Sequence, residues 1–241
     1  MLSIIIPSLN EEKLLPNLLE QLNAKNLKDK FHYEIILSDG GSKDKTIEKS
    51  LNFCDKIISH TDGTRQTISQ GKNAGAQRAS GDVFVFLCAD CTIEKPSEFF
   101  SFISNEFRHS EYKAATFKFE IAPSEKKLSD VLFHNFYNTY VRFLNFIGTG
   151  MGRGECQVIK RDVFEKYNGY DESLTAGEDW DLYKKIRRNG KIKVHFGLKI
   201  YESPRRYRKF GYHRVFWLWT LNALNVLKFI PKPIDEWVEV R

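Results

Sequence analysis

The chain has 241 residues, 41% of them hydrophobic and 28% charged, with a formal net charge of +6. That is enough apolar material for one large buried core or two small ones, and no repeat or Pro/Gly/Ser linker divides it, so it reads as one compact unit with two lobes. Four cysteines are too few for a disulfide scaffold and imply a reducing, cytoplasmic setting.

The first strand reads as Ser3-Ile4-Ile5-Ile6-Pro7, close enough to Met1 to leave no room for a signal peptide. A helix starting at Asn10-Glu11-Glu12 then places Leu14, Leu15, Leu18, Leu19 and Leu22 on one face. Residues 33–37 read as a second strand, a helix begins near Asp44, and Lys56-Ile57-Ile58-Ser59 is a short third strand. Residues 65–80 read as a helix, which Gly81-Asp82 turns into a buried strand from Val83 to Leu87. This alternation with short connections predicts an α/β fold: a doubly wound, mostly parallel sheet flanked by helices.

The second half is less regular. Residues 97–107 read as a helix, 114–121 as a strand and 128–146 as a long aromatic helix. A glycine-rich stretch, 148–154, reads as a flexible loop, followed by a strand over 156–159 and a short helix capped by Asp162. A helix over 178–189 is stopped by Gly190. Residues 215–230 are apolar on most sides, with Trp217 and Trp219 near the start. Two basic clusters, one at 184–193 and one at 205–209, suit phosphates, nucleic acid or an anionic membrane; the first also reads as a solvated helix face. No nucleic-acid-binding signature accompanies them, so no nucleic-acid partner is expected. Cys88-x-x-Cys91 lacks a second Cys/His pair and reads as two free thiols.

Three acidic sites stand where a strand or loop gives way to a helix or turn. Asp39, before Gly40-Gly41-Ser42, can accept from a nucleobase N–H or close an Asx-turn. Asp90, at the end of the buried strand, can ligate a hard divalent cation bridging diphosphate oxygens, or cap a helix. Glu178-Asp179, after the small residues Thr175-Ala176-Gly177, can supply a general base or simply complement a helix N-terminus.

Taken in order, these motifs are specific. Ser3 to Glu12, Ser38-Asp39-Gly40-Gly41-Ser42-Lys43-Asp44, Lys72-Asn73-Ala74-Gly75 and the strand into Asp90 resemble a family-2 glycosyltransferase with a GT-A fold. Asn168-Gly169-Tyr170-Asp171, Gly177-Glu178-Asp179-Trp180-Asp181 and Ser203-Pro204-Arg205-Arg206-Tyr207 extend the resemblance to about residue 210. It implies an inverting, metal-dependent enzyme using a nucleotide-diphospho-sugar. By that resemblance Pro7, Ser8, Asn10, Glu11, Asp39, Lys72 and Asn73 serve the donor, Asp90 holds Mn²⁺ or Mg²⁺, and Asp179 is the base with Glu178 beside it. Arg205 and Arg206 would neutralise the leaving diphosphate.

The chain departs from the pattern at Cys88, where many relatives carry a first acid, and no histidine stands beside Ser203-Pro204-Arg205. Both departures imply a metal site that leans on diphosphate oxygens and water. The implied division is residues 1–91 for the nucleotide-sugar, 92–210 for the acceptor and base, and 211–241 for an apolar helix and tail. Pro231-Lys232-Pro233 and the basic flanks suit a helix in the membrane interface, at the inner face of the plasma membrane, serving a lipid-linked or glycan acceptor; packing of 215–230 on the protein's own core, or a homodimer contact through it, are the alternatives. Two other functions remain open: a nucleotidyltransferase, against which the Pro-Ser-Leu-Asn-Glu-Glu first loop argues, and a non-catalytic nucleotide-sugar or glycan-binding module.

Overall fold

A computed structural model of the chain describes residues 1–24, 26–231 and 240. The first half runs β1 (Leu2–Ser8), α1 (Leu15–Leu22), α2 (Leu27–Phe31), β2 (Tyr33–Asp39), α3 (Thr46–Ser50), β3 (Lys56–Ser59), α4 (Ile68–Gln77) and β4 (Val83–Leu87). Next come β5 (Cys91–Ile93), α5 (Pro96–Ser101) with a π-helical continuation Phe102–Phe107, β6 (Tyr112–Ile121), α6 (Leu128–Phe146) and β7 (Cys156–Lys160). The chain then forms α7 (Arg161–Lys166), α8 (Glu178–Asn189), β8 (Lys191–Glu202), α9 (Arg205–Phe210) and α10 (Tyr212–Val226).

The eight strands form one sheet in the order β3-β2-β1-β4-β7-β6-β8-β5. From β3 to β4 every pairing is parallel, as the βαβαβ alternation predicts. Beyond β4 the sheet is mixed: β7 runs antiparallel to β4 and β6, β8 runs parallel to β6, and β5 closes the edge antiparallel to β8. The pleat sorts side chains by period two. Ile4 and Ile6 join Leu18, Leu22 and Phe100 on one face, while Ile5 joins Ala76, Phe164 and Tyr183 on the other.

Helix α1 begins at Leu15, later than the sequence reading, with Pro16 in its first turn. Proline is tolerated there because the first helical N–H groups have no partner inside the helix. The backbone before it is held by another loop instead. The N–H groups of Asn10, Glu11 and Glu12 donate to the side chains of Ser42, Thr46 and Asp44 at 2.8, 2.7 and 3.1 Å.

The largest departure from the sequence reading is β8. Lys191 and Lys193 belong to this twelve-residue strand and not to a basic helix face. Its alternating charge hid it, because most of its side chains are only half-buried. The pairing Cys91↔Glu202 brings the end of β8 beside Asp90. The Cys88 N–H donates to the Glu155 carbonyl at 2.9 Å, which sets the start of β7 beside the end of β4. One edge of the sheet therefore gathers Ser8, Asp39, Asp90, Glu155 and Glu202, as expected of a crevice at strand carboxyl ends.

Candidate active site

A cavity of about 540 Å³ opens at that edge. Pro7, Ser8, Glu11, Asp90, Glu178, Asp179, Arg205 and Arg206 all lie on its wall, so these sequence-expected residues come together. Asn10, Asp39, Lys72 and Asn73 do not line it. Each of those four has structural partners.

Asp39 is fully buried and accepts from the N–H groups of Gly41 and Ser42 at 3.0 and 2.8 Å and from the Ser8 hydroxyl at 3.3 Å. It shapes the turn whose Gly40 reaches the cavity. The Asn10 amide oxygen accepts from Lys43 N–H at 2.8 Å, tying the two loops again. Asn73 donates to the Tyr170 carbonyl and Glu172 and accepts from the Tyr170 N–H. Lys72, fully buried, pairs with Glu178 at 2.9 Å and lies 4.8 Å from the Tyr170 ring centre. Burial disfavours its ammonium, but Glu178 and Asp179 outweigh that and hold its pKa above the ordinary lysine value.

Glu178 and Asp179 open α8, just after Gly177, whose φ of 87° suits glycine. Being adjacent, they point apart: Glu178 inward to Lys72, Asp179 toward the loop that ends at Gly154. Burial first, then the Glu178 charge, raise Asp179 to about 7, with Lys72 pulling the other way. Residues 148–154 form a loop, as expected, but its middle is buried. Gly150, Met151, Gly152 and Arg153 are buried, Gly150 and Gly152 lie against α8, and a Cβ on Gly152 would sit 2.3 Å from the Tyr183 ring. The glycines permit close approach, and a side chain at Gly154 would crowd Asp179 Oδ2 at 3.1 Å.

Across the cavity, Arg205 forks onto Glu11, with one contact at 2.9 Å, and reaches Asp90 at 3.1 Å. Burial, with Glu202 and Glu155 nearby, raises the Asp90 carboxyl, and Arg205 only partly offsets this. Sequence reasoning missed the centre of this wall. Arg153, 2% exposed, pairs with Glu202 at 2.6 Å and Glu155 at 2.9 Å. Its guanidinium lies 4.4 Å from the Phe119 ring centre, 5.2 Å from Tyr137 and 5.7 Å from Trp219. Burial pushes Glu202 up, but Arg153 and His134, the latter at 2.8 Å, hold it down to about 2. Arg153 sat in a run notable only for glycine, and nothing local to Glu202 marked it.

Can the site take a divalent cation? Among the described residues no cluster of three or more His, Cys, Asp or Glu side chains could hold one alone. Burial keeps the Cys88 thiol protonated by raising its pKa well above the ordinary value, and a thiol is a poor ligand for a hard ion. Asp90 can still serve as a single carboxylate ligand, with the remainder from diphosphate and water. Of the described residues on the wall six are acidic and four are arginines, but Glu178 is paired with the buried Lys72 and Asp179 is raised to about 7, so the added charge of a diphosphate is what such an ion would offset.

The model of the family described as "Glycosyl transferase family 2" matches residues 3–168, well over half of the chain. The chain belongs to glycosyl transferase family 2. Within the family it is similar to a dolichyl-phosphate beta-glucosyltransferase from Trichomonas vaginalis, 37% identical over 98 residues, covering 37% of this chain and 30% of the relative. It is also similar to a PGL/p-HBAD biosynthesis glycosyltransferase from Mycobacterium tuberculosis, 36% identical over 94 residues, covering 37% of this chain and 35% of the relative. The chain thus matches about a third of the length of these curated relatives.

Among solved structures, a mannosyltransferase from Pyrobaculum calidifontis in complex with GDP-Man and Mn²⁺ superposes with a TM-score of 0.70 at 18% identity, over 94% of this chain and 61% of that one. Glucosyl-3-phosphoglycerate synthase from Mycobacterium tuberculosis, in complex with Mn²⁺, UDP-Glc and glycerol 3-phosphate, gives 0.62 at 15% identity, over 98% and 82%. The fold is GT-A, as the motifs implied.

Proposed function

We propose that the protein transfers a glycosyl group from a nucleotide-diphospho-sugar to an acceptor hydroxyl, with inversion at the anomeric carbon. The observation that carries this reading is Asp179: a carboxyl on the cavity wall, raised to about 7, sharing that cavity with Asp90, Arg205 and Arg206. A base works best when its pKa lies near the working pH. Asp179 would take the acceptor's hydroxyl proton as the oxygen bonds to the anomeric carbon. The bond to the β-phosphate oxygen breaks in the same displacement, and the nucleoside diphosphate leaves with the electron pair.

Arg205 and Arg206 would meet the charge on that leaving group. Mn²⁺ or Mg²⁺ on Asp90 would supply Lewis-acid neutralisation of the diphosphate. In this reading residues 1–91 carry the nucleotide, with Pro7, Ser8 and Gly40 on the wall and Asp39 and Asn10 shaping the loops behind. Residues 92–210 carry the base, and 211–241 contribute α10, whose Phe216, Trp219 and Asn222 lie on the wall.

A phosphate acceptor is the second reading, favoured by the Trichomonas relative's name. Such an acceptor arrives already ionised and needs no base, so the two readings differ in how severely Asp179→Asn acts. The binding half is tested by thermal shift with UDP, GDP, CDP and dTDP, each with and without Mn²⁺, since a ligand of the native state raises the melting point with its affinity. One diphosphate should stabilise the protein strongly, and more with Mn²⁺. Equal, weak shifts from all four would overturn the donor assignment. Slow release of free sugar from the matching donor separates an enzyme from a binding module.

A further inference from the structure

Helix α6 exposes the side chains a soluble helix normally buries. Leu128, Leu132, Phe136, Tyr140, Phe143 and Phe146 are all exposed, Phe146 at 85%. Their spacing of three and four sets them on one stripe along the whole helix. Isolated exposed apolar residues are ordinary, whereas a contiguous stripe of large ones marks a binding surface. Trp217 on α10, 62% exposed, and Phe229 beyond it add to the apolar surface. Trp219 does not: it turns inward to Arg153, so the expected Trp217/Trp219 pair is split between surface and cavity. Of Pro231-Lys232-Pro233, Lys232 and Pro233 lie outside the described residues.

The charges say what covers this surface. The exposed charges on α6 and α10 are Arg142 and Arg214, and Lys209 and Lys228 flank α10. The one acid on either helix, Asp130, is buried and paired with Arg208. Apolar side chains within a basic frame are the pattern of a helix lying in the headgroup region of an anionic bilayer. Among the described residues no helix is long and apolar enough to cross a membrane. The stripe also runs into the cavity: the Phe136 ring is 5.8 Å from Phe216, and Phe216 and Tyr140 line the cavity wall.

We infer that α6, with the exposed side of α10, is a docking surface for an anionic lipid bilayer, and that the aromatic side of the cavity opens toward it. The surface stands on its own. Only its corollary, that an acceptor with an apolar tail enters from the bilayer, rests on the transfer reading above.

The test is flotation of the full chain with vesicles of phosphatidylcholine alone or mixed with phosphatidylglycerol, alongside light scattering for oligomeric state. The wild type should float with the anionic vesicles and do so less at high salt. Phe143→Glu/Phe146→Glu alters two residues that do not line the cavity. It should bind vesicles at least about tenfold more weakly yet keep the nucleotide-induced melting shift, which shows that it is folded and that the donor site is intact. Undiminished flotation of the double variant would overturn the assignment of this face. Equal flotation on neutral vesicles would overturn the choice of an anionic bilayer. A wild type that stays at the bottom overturns the inference, and if it is then a dimer that the double variant breaks, the stripe joins two copies of the chain. Loss of the nucleotide shift in the wild type would instead sink the transfer reading and leave the surface standing.

Discussion

Replacing Asp179 by Asn should slow the enzyme and stabilise it at once. Burial and Glu178 carry this carboxyl from an ordinary 3.8 to about 7. At about 1.4 kcal/mol per pKa unit, ionising it costs the folded state up to about 4 kcal/mol, and relaxation around a half-buried group reduces that to about 1–2 kcal/mol. The stabilising contribution of the protonated form is complete below the unfolded pKa near 4 and is lost as pH rises through about 7. The Asn variant keeps the shape without the charge. Its melting point should match the wild type near pH 4 and exceed it by several degrees at pH 8. Turnover should fall by about 10²–10⁴ with donor affinity little changed. The wild-type rate should fall on the acid side with an apparent pKa near 7, and that limb should vanish in the variant. Calorimetry across pH and a pH–rate profile check both arms. A variant with the wild type's melting profile would refute the charge argument. A retained acid limb would place the base elsewhere.

Asp90→Ala should abolish metal-stimulated turnover while the chain stays folded, and Cys88→Asp should lower the metal concentration for half-activity; full Asp90→Ala activity in EDTA refutes the assignment. Glu178→Gln should be milder than Asp179→Asn in rate, and the reverse order in the same assay would swap their roles. Lys72→Met leaves Glu178 buried without its cation, a change that costs about 3–5 kcal/mol by denaturant melt. Because Lys72 holds Asp179 down, any activity that survives should show its acid limb moved to higher pH. Gly152→Ala drives a methyl into the Tyr183 ring and should destabilise by about 1–3 kcal/mol; an unchanged melting point would mean that the loop over α8 can give way.

Why some of this was legible and some not follows from where each residue finds its partners. The parallel half of the sheet was readable because Ile4-Ile5-Ile6 and Val83 to Leu87 are apolar runs bounded by turn residues, and both are buried on two faces. The bounds of α6 and α8 matched, with acids in the first turn of each and Gly190 ending α8. Strand β5 has three residues, and β8 alternates charge along half-exposed faces, so neither carries the signal that marks a buried strand. The site divides on the same ground. Asp39 and Asp90 share one local context, a carboxylate at the end of a buried strand. Asp39 spends its oxygens on Gly41 and Ser42, two and three residues away, whereas Asp90 faces Arg205 from the far end of the chain. Local sequence cannot tell a carboxylate that closes its own turn from one that meets a distant arginine on a cavity wall. Arg153 and Glu202, 49 positions apart by their numbering, meet only because β7 starts at the edge of the sheet where β8 ends. Residue type therefore announces that a charge is present, while the topology of the sheet decides whether that charge is consumed or offered.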